Sequence, residues 1–110
     1  MDSILTSIKK MLGIEAEYTH FDNDIIMHIN SVFMTLNQLG VGPEEAPFIT
    51  SELETWNDAF GDIKNVFAIK TYVYLKVRMV FDPPTSSFVM ESMKNQATEL
   101  EWRLNMQVDN

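Results

Sequence analysis

The sequence predicts an all-α fold, a small bundle of about five helices with a long central helix at 63–81 and a C-terminal helix at 87–106. Three observations carry this prediction. Apolar residues recur at helical spacing in each long segment, where strands would alternate. Gly13, Gly40, Gly61 and the pair Pro83-Pro84 fall where those patterns stop. The connections left between helices are short, as antiparallel neighbours in a bundle require. No internal repeat, low-complexity tract or linker divides the 110 residues, so 1–110 reads as one domain.

In chain order, Asp2 or Ser3 caps a first helix whose stripe is Ile4, Leu5, Ile8, Met11 and Leu12, and Gly13 ends it. Lys9 and Lys10 sit near its C-terminal end, where the helix dipole favours cations. Residues 14–21 form a connector, and Asp22 opens a second helix that runs to Gly40. Its buried face is Ile25, Ile29, Val32, Leu36 and Leu39, widened by Ile26 and Phe33. Met27 and Met34 lie opposite, beside Asn30, Asn37 and Gln38, and read either as ordinary exposed side chains or as a subunit contact. GVGPEEAPFIT is a loop from which Phe48 and Ile49 tuck back onto the bundle.

Ser51 and Glu54 have capping-box spacing, which predicts a short helix from Ser51 with Leu53, Trp56 and Phe60 inward and Gly61 as its stop. Asp62 then caps the central helix, IKNVFAIKTYVYLKVRMVF. Val66, Ile69, Val73, Val77 and Val80 line one side of it, and Ala68, Tyr72, Leu75 and Met79 line nearly the opposite side. Lys64, Thr71 and Arg78 make the one clean polar stripe, so packing neighbours are expected around most of its circumference. Its β-branched content would suit a strand, but the uninterrupted length favours helix. Asp82-Pro83-Pro84 ends it. Ser86 or Ser87 caps the last helix, with Val89, Met90, Met93, Ala97, Leu100 and Leu104 inward and Phe88, Trp102 and Met106 on its far side among Glu91, Asn95 and Glu99. A large aromatic on a polar helix face reads either as a side chain folded over the bundle edge or as an interface anchor, and enrichment of large aromatics at interface centres favours the second.

Composition narrows function. Hydrophobic content of 45% excludes general disorder, and the 8 methionines suit adaptable packing or contact surfaces. No apolar run approaches the roughly 20 residues that span a bilayer, and the N-terminus lacks the form of a signal peptide, so a soluble, unprocessed protein is expected. The absence of cysteine removes disulfides and thiolate chemistry. A net charge of -8 argues against tight nucleic-acid binding. The charge is unevenly placed: residues 63–81 carry Lys64, Lys70, Lys76 and Arg78 and no acid. Acids of the same fold, or of another subunit, are the expected counterparts.

No catalytic, metal or cofactor set emerges. His20, Asp22, Asp24 and His28 match no closed ligand spacing, and the two aspartates are accounted for at a helix start. Carboxylates two apart, Glu52/Glu54 and Glu99/Glu101, diverge on a helix and cannot share acid–base work locally. There is no nucleophile elbow, phosphate-binding loop or helical His-Glu-x-x-His.

The succession TYVYLKVR…FDPPTSSF…ELEWRLN within 68–106, with YTHFDNDIIMHINSVFMTLNQLGVGP at 18–43 and PFIT…ETW at 47–56, resembles small head-to-tail connector proteins of long-tailed phages and related prophages, also called head-completion or adaptor proteins. Met79-Val80, where paired leucines would be expected, and Thr98 depart mildly from that pattern. The resemblance implies an α-helical protomer that assembles into a ring, commonly dodecameric, beneath the portal protein of the capsid. Such a ring extends the DNA channel, lets DNA pass without specific binding and receives a downstream stopper protein. It places the chain in the virion, after assembly in the host cytoplasm, and carries over no catalytic residue and no cofactor. Two different contact surfaces per protomer are then needed. The cations Lys70, Lys76 and Arg78 are candidates for one, and Glu52, Glu54 and Asp58, or the Phe88, Trp102 and Met106 face, for the other, with Met27 and Met34 as further contact candidates. The alternative reading is a small acidic phage or prophage regulator that binds a host protein.

Overall fold

A computed structural model of the chain describes residues 3–107, and among them five helices and no strand. Helix α1 is Ile4–Leu12, α2 is Asp22–Gln38, α3 is Trp56–Phe60, α4 is Val66–Phe81 and α5 is Ser87–Gln107. Helix α4 is the organising element, packing against α1, α2 and α5. One contiguous core joins Ile4, Leu5 and Ile8 of α1 to Ile25, Ile29, Val32, Phe33 and Leu36 of α2 and to Ile69, Tyr72, Val73 and Val77 of α4. With extents of 39 × 35 × 19 Å, the molecule is a slab about two helix diameters thick.

Local chemistry explains the helix ends. Ser3 caps α1 by accepting from the Thr6 amide at 3.0 Å, while Asp2 lies outside the described residues. Gly13 closes α1 in the left-handed region (φ 83°), and the Ile14 amide reaches back to Lys9 O at 2.8 Å. Ser86 caps α5 through the Val89 amide.

Two starts differ from the sequence expectation, and a third falls at the expected residue without the expected cap. Ser51 and Glu54 do interact, but as a closed turn: the Glu54 carboxylate accepts from the amides and hydroxyls of both Thr50 and Ser51. The helix begins instead at Trp56, where Thr55 and Asp58 form a reciprocal capping box, and Leu53 is left 79% exposed rather than inward. Asp62 does not cap α4, which starts at Val66 after Asn65 without a side-chain cap. Asp22 begins α2 but makes no cap; its carboxylate faces Lys9.

Lys9 is the one charged residue among the buried set, 2% exposed. Its ammonium donates to Ala16 O at 3.0 Å and Tyr18 O at 2.7 Å and lies 2.8 Å from Asp22 Oδ1. The Asp22 contact is oblique and acts through charge rather than as a hydrogen bond. Lys9 thus folds the 14–21 connector over α1 and anchors the start of α2. The loop before α3 is fixed similarly by one side chain. Asn30 of α2 donates to Ile49 O at 2.9 Å and accepts from the Ile49 amide at 2.8 Å, imitating a strand partner. Ile49 is buried by this pairing, whereas its neighbour Phe48 stays exposed, so only half of the expected tuck occurs. Met11, Val80 and Val89, assigned inward by periodicity, are also exposed, although Leu12, beside Met11, and Met79 and Phe81, beside Val80, pack against the core.

Candidate functional site

The described residues present no enclosed chemistry. His20 and His28 pack against the rings of Phe21 and Phe81, Asp22 is committed to Lys9, and no group of three or more His, Asp or Glu is placed to hold a metal ion. What the fold leaves open is surface, chiefly on its last two long helices.

Helix α4 is closed over most of its circumference and open along one line. Phe67, Thr71, Tyr74 and Arg78, stepped by four, three and four residues, share that line. Phe67 is 79% exposed at its start. Lys70 lies beside it, its ammonium 5.6 Å from the Phe67 ring centre and 5.7 Å from the Trp56 ring. This cation–π sandwich holds the charge at the surface without an acidic partner. Lys64, just ahead of the helix, is exposed and makes no hydrogen bond or ion pair with another described residue. The first turn of α4 contains no acid and no side-chain cap, so the positive end of the helix dipole adds to Lys64 and Lys70. At the opposite end Arg78 is occupied by its own helix terminus, donating to Asp82 O at 2.6 Å and to Tyr74 Oη at 3.2 Å. Lys76 is half-buried on the packed side, away from Arg78's line. The expected set Lys70, Lys76 and Arg78 is therefore not one patch; the open cationic region is Lys64, Phe67 and Lys70.

Helix α5 shows the reverse balance. Of its 21 residues only Met93, Ala97 and Leu104 are buried, all against the bundle. Glu101 is held by Tyr72, whose hydroxyl donates to it at 2.6 Å; burial and this carboxylate push the phenol above its ordinary range. Asn105 donates to Leu39 O at 3.0 Å and ties the end of α5 to the end of α2. The outward line runs Phe88, Glu91, Asn95, Glu99, Trp102 and Met106. Phe88 is 83% and Trp102 64% exposed, as their place on a polar face predicts.

The remaining candidates divide. Glu54 and Asp58 are spent on the turn and the capping box, while Glu52 projects freely. Desolvation pushes the Glu54 carboxyl up, but the hydrogen bonds it accepts, chiefly from Thr50 and Ser51, together outweigh this and hold the pKa at about 2. Met27 and Met34 are both exposed on α2. Phe67 was not singled out from the sequence, although it falls on the Lys64, Thr71 and Arg78 stripe, four residues before Thr71, and that spacing marks it as outward.

A family model described as phage connector protein matches residues 4–110. The chain belongs to the phage connector protein family. Membership identifies it as a structural component of phage, of a kind that is generally not enzymatic, and implies contact with other virion components. No curated protein and no solved structure matches the chain. No helix among the described residues of this family member is long and apolar enough to cross a membrane.

Proposed function

We propose that the chain, acting as one connector domain, is a subunit of a ring beneath the capsid portal that extends the DNA channel and joins head to tail. The observation that carries this reading is the connector-family match over nearly the whole sequence. The surface chemistry supports it. A ring subunit makes head-to-tail contacts and needs two unlike exposed surfaces, and α4 and α5 differ in charge while each exposes large aromatics. The acidic net charge of -8 suits a channel wall past which DNA moves with few phosphate contacts. The partners in this reading are further copies of the chain, a dodecamer in the virion, with the portal on one side and a stopper protein on the other. No feature of the fold favours the regulator alternative.

The test is the solution mass of the purified protein by light scattering, alone and mixed with its cognate portal. Large rings of defined mass, free or induced by the portal, are expected. A protomer mass unchanged by the portal refutes the reading.

A further inference from the structure

We infer that the outward line of α5 from one copy seats on the Lys64–Phe67–Lys70 region of α4 in the next. This rests on the ring reading above and names the contact it leaves open. Charge complementarity selects the occupant. The α4 region carries two cations without acidic partners, reinforced by an uncapped helix start, and no acid stands on its line. The α5 line carries Glu91 and Glu99 between exposed aromatics; Arg103, itself exposed, lies 3.8 Å from Glu99, and the exposed Lys94, three residues after Glu91, makes no ion pair with a described residue. Glu54 and Asp58, the other acids considered, already bond to their own backbone and offer less.

Geometry requires that the two surfaces meet between copies. Helix α5 buries one side against the bundle and turns Phe88, Glu91, Glu99 and Trp102 away from it, so within one protomer this line cannot reach Lys64 or Lys70. Phe67 to Arg78 spans about 16 Å and Phe88 to Met106 about 27 Å at 1.5 Å per residue, so one line can lie along the other. The contact is heterologous: each copy gives α5 to one neighbour and α4 to the other.

The chain has no cysteine, so cross-linking can be directed without background. Thr71 and Asn95, both exposed, mark the middles of the two lines. A short bis-maleimide added to the variant T71C/N95C, alone and with portal, should give a ladder in steps of the 12.7 kDa protomer, while T71C and N95C singly remain at protomer mass. The reversal E91K/E99K should abolish the ladder with helical circular dichroism unchanged, and adding K64E/K70E to it should restore it. Defined rings by light scattering without a ladder overturn this contact and leave the ring reading intact. Dimers of either single variant, or cross-links to a different protein in assembled particles, also overturn it. A chain that stays a protomer and uncross-linked, with and without portal, overturns both.

Discussion

Gly42 and Gly13 offer a matched pair for testing how the loop after α2 is held. Both have positive φ, 92° and 83°, so an alanine at either adopts a backbone that L-residues disfavour by about 1–2 kcal/mol. Part of this is offset by about 0.4–1 kcal/mol, because alanine restricts the unfolded chain. Their surroundings differ. A Cβ at Gly13 meets nothing within 4 Å, whereas one at Gly42 stands 2.8 Å from Phe60 Cε1 and 2.9 Å from Cδ1. Phe60 cannot swing away cheaply: its ring lies edge-on to Phe33 at 5.3 Å and is stacked with Trp56 at 6.4 Å, in the core. Overpacking of this kind adds about 1–3 kcal/mol.

The expected losses are therefore about 1 kcal/mol for G13A and about 2–4 kcal/mol for G42A. Urea denaturation followed by helical circular dichroism reads both. With a slope near 2 kcal/mol/M, the midpoint should fall by about 0.5 M for G13A and about 1.5 M for G42A. Equal shifts for the two variants would refute the claim that Phe60 is locked against the loop.

Three further outcomes follow from individual contacts. Lys9→Met keeps the packing volume but leaves Asp22 and two carbonyls without their cation, and should cost about 3–5 kcal/mol in thermal denaturation, with amide exchange accelerated at 14–21. Glu54, with its pKa depressed from 4.5 to about 2, contributes stability that is present above pH 4.5 and lost as pH falls toward 2. The difference in melting temperature between the parent and Glu54→Gln should therefore shrink across that interval, and a constant difference would contradict the assigned bonds. The Tyr72 phenol is raised, so its contribution is complete below pH 10 and is lost only above it; in an ultraviolet titration one of the 3 tyrosines should ionise only as the protein unfolds.

The helix faces were legible because burial imposes a 3.6-residue period: Ile25, Ile29, Val32 and Leu36 are all buried as read. Helix starts were less so, since Ser51-x-x-Glu54 and Thr55-x-x-Asp58 carry the same signal four residues apart. Only the second precedes a residue, Trp56, that the core can take. The burial of Lys9 left no trace in sequence, because two of its three partners are backbone carbonyls, which every residue has. Of the interface candidates, Phe88, Trp102 and Met106 could be placed from the polarity of their helix. The open side of α4 was legible as well, from the Lys64, Thr71 and Arg78 stripe, and the same spacing puts Lys70 and Lys76 off that line.

The size of the unburied aromatic surface bears on how such a contact would assemble. Full burial of a large apolar side chain is worth about 1.5–3 kcal/mol, so Phe67, Phe88, Trp102 and Met106, each already partly covered, hold roughly 4–9 kcal/mol that one copy does not realise. Association costs about 4–15 kcal/mol in lost freedom before any such gain appears. A single α4–α5 contact between two copies is therefore near break-even and open pairs should be scarce. Closing a ring changes the balance, since the last contact forms between groups already held together and incurs no second association cost. Dilution followed by light scattering should accordingly show protomers and complete rings with little between them, and the transition should move to higher protein concentration with added salt as Glu91 and Glu99 are screened from Lys64 and Lys70. A stable population of dimers and trimers would mean that each contact is strong on its own, which these few anchors do not allow.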